Sequence, residues 1–325
     1  MSKNEEMRAV VIDRFGGPEV LSVRALPVNE PESDQILIQV KSAGVGIWDV
    51  GEGQGMIAKM LGINPTFPWI LGSEGAGKIV AVGDKVSGFQ NGDLVYGDIW
   101  GTNPKRGFYA EYIALNAANA WPSPSNVPIE QAGALLIDGG TALRGLDDTL
   151  GLKHGEKLMI FGASGGLGHL AIQLGKRLGA RVFAIASGED GVALALRLGA
   201  EAAVNGHSEN MLASAVEFAP KGFDAALITA PGEVAEKALT SMREGGRVAH
   251  PWVNQRPPPK APPNVRILGY NGNIDGPLIL KLNRMIEAGT FEVYLDETFT
   301  LDQAAEAFQA VRTHHLGRLA ILPGK

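Results

Sequence analysis

The sequence contains no cysteine among its 325 residues. Disulfide bonds, thiolate metal ligands and thiol nucleophiles are therefore excluded. Histidine is also scarce, at six residues, and no His-x-x-x-His or similar metal-binding spacing occurs. We therefore expect no metal site.

Long apolar runs and clusters of basic residues are absent as well. No stretch approaches the roughly 20 apolar residues needed to cross a bilayer, and the polar segment Met1–Glu6 lacks the apolar core of a signal peptide. The formal net charge is −6, and the lack of a run of Lys and Arg argues against a nucleic-acid partner. These absences favour a cytoplasmic protein that acts on a small molecule.

The length and composition suit two globular domains, with 45% hydrophobic and 20% charged residues. The first third contains short β-branched segments bounded by Gly, Asp or Asn, with a weak helical patch at Met56–Leu61. This pattern predicts a small β-barrel or sandwich. Its predicted strands are Met7–Ile12, Gln35–Val40, Lys78–Val82 and Leu94–Gly97.

The pattern changes near Pro128, where apolar residues at helical spacing predict a helix over Ile129–Leu150. Strands and helices then alternate, which predicts an α/β domain with a doubly wound parallel sheet. The predicted strands are Lys157–Gly162, Arg181–Ser187, Phe223–Thr229, Arg247–Trp252 and Val265–Gly269, and the predicted helices are Gly166–Leu178, Val192–Leu198, Glu233–Met242 and Pro277–Ala288.

Strand-rich sequence returns after Gly289. We therefore assign residues 1–122 and 289–325 to an outer domain, and residues 123–288 to a domain inserted between its two parts. The C-terminal segment is predicted to form an extended stretch at Glu292–Phe299, a helix at Leu301–Arg312 and a strand at Arg318–Leu322.

A glycine-rich turn follows the first strand of the inserted domain. Gly165 lets backbone approach a pyrophosphate, Gly168 lets the next helix pack closely on the strand, and the helix N-terminus offers free N–H groups. Such a turn can serve close packing alone, but the flanking strand and helix, with a second strand at the right distance, favour a dinucleotide. The predicted cofactor-binding turn is Ala163, Ser164, Gly165, Gly166, Leu167 and Gly168.

The end of strand Arg181–Ser187 bears on the choice of cofactor. An acid that would bind the ribose 2′-OH of NAD is expected at Ala186, and its absence favours NADP(H) while leaving NAD(H) open. Glu189 and Asp190 follow and suit the start of the next helix. The predicted cofactor-binding residues beyond the turn are Thr141, Ser187, Thr229 and Ala230.

Short motifs in a fixed order resemble the medium-chain dehydrogenase/reductase superfamily and its zinc-free quinone oxidoreductase branch. The resemblance covers nearly the whole chain. It implies a GroES-like, β-rich catalytic domain plus a Rossmann cofactor domain, a homodimer, and Thr141 near the nicotinamide. The matching segments are Ala43–Val45 with Asp49, Gly72–Gly77, Val82-Gly83, Val86–Phe89, Gly92–Gly97, Gly107–Tyr112, Thr141-Ala142, Ala163–Gly168 and Gly317-Arg318.

The resemblance also locates the positions that bind catalytic zinc in the zinc-dependent members. They are Gly46, Ser73 and Ile137 here, and none is a zinc ligand of the usual kind. Without zinc, alcohol oxidation loses its Lewis acid, whereas hydride addition to a quinone or an α,β-unsaturated carbonyl does not need one. Both arguments predict NADPH-dependent reduction of a conjugated carbonyl.

The candidate catalytic residues are Asp49, Tyr96 and Asp138. Asp49 and Glu74 match positions next to the metal in zinc enzymes, and here they are either proton donors or a hydrogen-bonded scaffold. Tyr96 and Asp138 are each a candidate proton donor or a local structural feature. The residues predicted to line the substrate pocket are Gly46, Ile47, Trp48 and Trp100.

Two departures from the family pattern keep other functions open. Gly46 and Ile47 stand where zinc-free members often have Asn and Pro, and a Tyr common after the Asp is missing from Val50–Ile57. The alternatives are a non-catalytic, crystallin-like or regulatory NADP(H)-binding protein, and a stand-alone enoyl reductase acting on acyl thioesters. The family's dimers often form through edge strands, and Val265–Tyr270 is the candidate strand here.

Overall fold

The computed structural model describes residues 5–100, 102, 105–251 and 257–324. The chain divides into two compact units, Met1–Leu136 with Leu295–Lys325, and Ile137–Tyr294. Both junctions lie later in the chain than the boundaries predicted from the sequence, and hydrogen bonds explain the shift.

At the first junction, Gly44 N donates to Gly133 O at 2.8 Å and Ser42 Oγ to Glu130 O at 2.7 Å, which ties this segment to the first unit. At the second junction, Gln173 exchanges hydrogen bonds of 2.8 and 2.9 Å with the backbone of Glu292, which ties that segment to the second unit.

The first unit is rich in β-structure, as predicted. A seven-stranded sheet has the order β15-β16-β3-β5-β6-β8, with β7 also paired to β3, and a three-stranded sheet has the order β2-β1-β4. Apolar residues of these strands form a core around Trp69, Phe108 and Tyr109, and a smaller cluster includes Met7, Ala9, Val11, Ile70 and Ala110. The strands are β1 (Glu6–Ile12), β2 (Ser22–Pro27), β3 (Gln35–Val45), β4 (Trp69–Ile70), β5 (Glu74–Val82), β6 (Leu94–Asp98), β7 (Tyr112–Asn116), β8 (Ala120–Pro122), β15 (Leu295–Phe299) and β16 (Arg318–Ile321).

The described residues of the first unit form four α-helices. The sequence predicted α2, but not α1, whose two glycines lower its helix propensity. The predicted helix over Leu301–Arg312 is shorter, because its first turn, Leu301–Gln303, is a 3₁₀ turn. The helices are α1 (Ile47–Gly53), α2 (Met56–Leu61), α3 (Ile129–Ala132) and α10 (Ala304–Ala310).

The second unit confirms the predicted doubly wound parallel sheet. Six strands have the order β11-β10-β9-β12-β13-β14, so the strand order reverses between β9 and β12, at the point where α/β sheets bind ligands. The candidate dimer strand β14 is at one edge. The strands are β9 (Lys157–Phe161), β10 (Arg181–Ala186), β11 (Ala202–Asn205), β12 (Phe223–Ile228), β13 (Met242–Pro251) and β14 (Arg266–Tyr270).

The helices of the second unit flank this sheet. Trp252, the predicted end of the fourth strand, lies outside the described residues. Within the described parts of the chain, no helix combines the length and apolar character needed to cross a membrane. The helices are α4 (Leu136–Arg144), α5 (Gly166–Arg177), α6 (Gly188–Arg197), α7 (Met211–Phe218), α8 (Glu233–Leu239) and α9 (Gly276–Glu287).

The single helix predicted over Ile129–Leu150 is wrong. The structure has α3, then α4, then a π turn at Gly145–Thr149. Gly133 lies against the backbone of Ser42, and Gly145 packs against the Tyr270 hydroxyl, with no room for a Cβ at either glycine. These close approaches involve distant segments, so helical periodicity alone could not reveal them.

Candidate functional site

The glycine-rich turn joins β9 to α5 at the reversal point of the parallel sheet. Gly162 has φ +77° and packs against the Thr229 side chain. A Cβ on Gly168 would overlap the Gly162 carbonyl oxygen. Both glycines are therefore required by the fold itself.

Gly165 is different, because no described residue crowds it. A Cβ built on Gly165 would have its nearest neighbour, Gly162 O, at 3.6 Å, an ordinary contact. Its backbone is extended, with φ −82° and ψ −178°, and α5 begins at the next residue with no acid in its first turn. The open space beside Gly165 and the free N–H groups of this helix fit the pyrophosphate of a dinucleotide.

His169 fixes the start of α5. Its Nδ1 lies 3.0 Å from Gly165 O, and its Nε2 accepts a hydrogen bond from Tyr294 N at 3.2 Å. The ring proton is therefore assigned to Nδ1. This fully buried histidine holds the turn in place, which agrees with a packing role.

The carboxyl end of β10 carries no acid at the position expected for NAD. Ala186 is apolar and buried, and Ser187 N donates to Ser164 Oγ at 3.3 Å. Glu189 accepts a hydrogen bond from Asn205 Nδ2 at 3.3 Å. The first acid of α6 is therefore bonded to the adjacent strand β11.

Three of the predicted cofactor residues lie around the turn or on α4. Thr229 Oγ1 donates to Phe161 O at 2.9 Å and to Gly162 O at 3.2 Å, so this side chain braces the turn. Ala230 follows it directly. Thr141 is 7% exposed, and its side chain packs against Gly272.

Asp138 lies one turn before Thr141 on α4 and is buried. The phenol of Tyr270 is buried within the same unit, and its burial, followed by the charge of Asp138, raises the pKa of Tyr270. This pair is a buried polar feature of the second unit.

A cluster of buried polar residues lies in the first unit, centred on Asp49. Asp49 Oδ2 accepts from Gly46 N at 2.8 Å, and its Oδ1 accepts from Ser73 N at 3.0 Å and Ser73 Oγ at 2.8 Å. Burial raises the pKa of Asp49, and the positive charge of Lys105 and these hydrogen bonds oppose the rise. Asp49 is thus a hydrogen-bonded centre of this cluster.

Lys105 and Glu52 extend the cluster, and the sequence did not indicate either. The Lys105 side chain is 1% exposed, and its ammonium forms an ion pair with Glu52. Its Nζ also donates to Ser73 Oγ at 3.3 Å and lies 5.7 Å from the centroid of the Trp100 ring. Burial raises the pKa of Glu52, and Lys105 opposes the rise.

A second buried ion pair joins Arg318 to Glu74, the residue that follows Ser73, and the positive charge of Arg318 also opposes the rise in the pKa of Asp49. Arg318 Nε also donates to Ala134 O at 3.1 Å, and its guanidinium lies 4.9 Å from the Trp48 ring centroid. Trp48 in turn packs against Gly46 and leaves no room for a Cβ there. The resemblance identified Glu74, but no sequence pattern indicated that Arg318 is its partner.

The two remaining predicted pocket residues are both exposed. Ile47 is 40% exposed and Trp100 is 36% exposed. Tyr96 is fully buried on β6, within the first unit.

The positions that would bind zinc do not fit that metal. Gly46 has no side chain, the Ser73 hydroxyl donates to Asp49, and Ile137 is a buried aliphatic residue. In the parts of the chain that the structure describes, no group of three or more His, Cys, Asp or Glu side chains is arranged to hold a metal ion.

Comparison with known proteins agrees with this two-part architecture. A family model described as an alcohol dehydrogenase GroES-like domain matches residues 32–125, and one described as a zinc-binding dehydrogenase matches residues 166–251. The second match includes α5 and the parallel strands that follow it.

Similar proteins share both regions. Quinone oxidoreductase of Homo sapiens is 32% identical over 244 residues, covering 74% of this chain and 72% of that protein. The chloroplastic NADPH-dependent alkenal/one oxidoreductase of Arabidopsis thaliana is 30% identical over 329 residues, covering 98% of this chain and 80% of that protein. The solved structure of the quinone oxidoreductase from Coxiella burnetii is 26% identical with a TM-score of 0.81, covering 98% of this chain and 100% of that one. The chain therefore belongs to the medium-chain dehydrogenase/reductase superfamily, in its quinone oxidoreductase-like branch.

Proposed function

We propose that this protein is an NADPH-dependent reductase that transfers hydride to a quinone or an α,β-unsaturated carbonyl without zinc. Membership of this branch supports an NAD(P)H-dependent reductase. One observation carries the choice of reaction: the Trp48 ring fills the space of a side chain at residue 46, where a metal ligand would stand.

The proposed reaction follows from the hydride that the bound cofactor would supply and from the lack of metal ligands at the three zinc positions. NADPH supplies the hydride. Oxidation of an alcohol needs a Lewis acid or base to form the alkoxide, and the residues at the zinc positions offer no metal ligand set. A conjugated carbonyl is already electron-poor, so it accepts hydride without that assistance. Trp48 and Trp100 offer flat apolar surfaces suited to a planar acceptor.

The cofactor turn supports a dinucleotide, and the end of β10 supports NADPH over NADH. A carboxylate at residue 186 would accept a hydrogen bond from the ribose 2′-OH of NADH and repel a 2′-phosphate. Ala186 does neither. Ser187, the next residue, offers a hydroxyl to the phosphate, while Glu189 is bonded to Asn205.

Fluorescence titration of the protein with NADPH and NADH, followed by an acceptor screen, tests this function. The acceptors are 1,4-benzoquinone, trans-2-hexenal and crotonyl coenzyme A, with 1-hexanol and NADP⁺ as the control for alcohol oxidation. We expect tighter binding of NADPH, reduction of the quinone or the enal, and no oxidation of hexanol.

Each other result favours a different function. Tight NADPH binding without turnover of any acceptor would favour the non-catalytic, regulatory protein. Turnover of crotonyl coenzyme A alone would favour the enoyl reductase. Binding of neither nucleotide would contradict the assignment of the glycine-rich turn.

A further inference from the structure

We propose that Lys105 supplies the positive charge that stabilises the carbonyl oxygen of the acceptor as that oxygen becomes an anion during reduction. This role rests on the reductase function proposed above. It is a catalytic role for a residue that no sequence motif identifies.

Fixed polar groups of the first unit hold the ammonium of Lys105. Among the described residues, the ammonium has two acceptors, the Glu52 carboxylate and Ser73 Oγ at 3.3 Å. An ammonium has three N–H groups, so one remains for a substrate oxygen. The Trp100 ring lies over the ammonium, and Trp100 is the exposed member of this group. In the proposed complex, a planar acceptor lies against Trp100 and its carbonyl oxygen accepts the third N–H of Lys105.

The charge of Lys105 is effective because water is excluded from it. The side chain is 1% exposed, and a fixed charge in such a place stabilises a developing anion far more than it would in water. Ser73 and Glu52 hold the ammonium in position, and Ser73 is itself held by Asp49 at 2.8 Å. The cluster therefore needs no rearrangement of its own when negative charge appears on the substrate.

In the proposed reduction of an enone, the hydride comes from NADPH, the proton comes from solvent, and Lys105 only pairs with the intermediate anion. Reduction of an enone forms a C–H bond at its β-carbon with the hydride that NADPH supplies, and the π electrons move onto the carbonyl oxygen, giving an enolate. A solvent proton then forms the C–H bond at the α-carbon, so the acceptor gains two electrons and the cofactor loses two. Lys105 pairs with the enolate oxygen between these events and keeps its own proton.

A double-substitution experiment separates this role from a structural one. Lys105→Met alone leaves Glu52 as an unpaired buried charge, so it is expected to lower the melting temperature. Lys105→Met combined with Glu52→Gln removes both charges and is expected to restore most of the melting temperature. The double variant is still expected to lose about 100-fold in kcat with trans-2-hexenal, while its Kd for NADPH is unchanged.

A matched pair elsewhere provides the control. Arg247 and Glu156 form an ion pair of 2.6 Å in the second unit, with side chains 12% and 15% exposed. Arg247→Met with Glu156→Gln removes a comparable ion pair, and its kcat is expected to stay within about twofold of the wild type. A loss of kcat there equal to that of the Lys105 double variant would overturn the proposal, because removing any such pair would then have the same effect.

The outcomes distinguish the two proposals. An active wild type with a fully active Lys105→Met/Glu52→Gln variant would overturn the role of Lys105 alone. A wild type that binds NADPH and reduces no conjugated acceptor would overturn both proposals. If this double variant does not fold, Lys105→Gln with Glu52→Gln is assayed instead, because the two amides can hydrogen-bond to each other without a charge. A loss of about 100-fold in kcat then supports the role, and a kcat within twofold of the wild type overturns it.

Discussion

The indole ring of Trp48 occupies the space into which a side chain at residue 46 would project, so that Gly46 and Trp48 fit only as a pair. The Arg318 guanidinium lies 4.9 Å from the centroid of the same ring, so the indole meets both the glycine and a buried cation. This arrangement explains the glycine physically: the volume that a ligand or amide side chain would fill is already taken.

The Gly46–Trp48 fit predicts that Gly46→Asn destabilises the fold. The new side chain must displace the indole and disturb its stacking on Arg318, which is expected to cost about 1–3 kcal/mol of unfolding free energy. Urea denaturation measures the change. Gly62→Asn is the matched control, because residue 62 has φ +67°, which Asn tolerates, and nothing lies within 4 Å of its Cβ. Equal stability of both variants would contradict the fit.

The two glycines of the cofactor turn are expected to respond differently to alanine. Gly165→Ala adds a methyl group into open space with an allowed backbone conformation. It is therefore expected to leave the melting temperature within about 2 °C of the wild type, and to weaken NADPH binding about tenfold or more through contact with the pyrophosphate.

Gly168→Ala is the matched control for that substitution. Its methyl group overlaps the Gly162 carbonyl, so the variant is expected to lose about 1–3 kcal/mol of stability. Thermal unfolding and NADPH fluorescence titration on the two variants check this. If Gly165→Ala binds NADPH as tightly as the wild type, the pyrophosphate does not lie at Gly165.

The features that the sequence predicted well depend on local pattern. The turn from Ala163 to Gly168 is a contiguous motif between a strand and a helix, so its place in the fold follows from neighbouring residues. The parallel sheet was predicted because each strand is a short apolar segment next to an amphipathic helix. In both cases the signal lies within about 30 residues of chain.

The features that the sequence did not reveal depend on distant partners. Lys105 and Glu52 are 53 residues apart, and Arg318 and Glu74 are 244 residues apart. No periodicity or spacing links such pairs, because their contact is set by strand order and not by local geometry. The division of the helix predicted over Ile129–Leu150 has the same cause, since its glycines meet backbone and side chains from other segments.

Removal of metal ions is expected to leave the reductase activity unchanged. The three positions that match zinc ligands offer a glycine, a serine committed to Asp49, and an isoleucine. Dialysis against a strong chelator, followed by metal analysis and an assay of enal reduction, checks this. A loss of activity that stoichiometric zinc restores would show that the metal is held by other groups.

The raised pKa of Asp98 predicts that the stability of the folded protein falls as the pH rises. Burial raises the pKa of Asp98 to about 6, against 3.8 for an ordinary aspartate, although hydrogen bonding by its own backbone and by Trp100, with the charge of Lys105, opposes the rise. Between about pH 4 and 6 the folded protein therefore binds more protons than the unfolded chain, so this residue's contribution to stability is lost as the pH rises. By pH 7 the loss is about 2–3 kcal/mol.

Asp98→Asn removes this loss and keeps a hydrogen-bond acceptor for Trp100. The variant is expected to match the wild type near pH 4 and to exceed its unfolding free energy by about 2 kcal/mol at pH 7.

Asp224→Asn is the control, and its effect on stability has the opposite pH dependence. Burial would raise the pKa of Asp224, but Lys157 N and Arg243 together lower it. Loss of this carboxylate therefore costs stability at pH 7 and progressively less as the pH falls below 4. Urea denaturation from pH 2 to 8 measures both, and an Asp98→Asn difference that does not change with pH would show that this carboxyl group titrates normally.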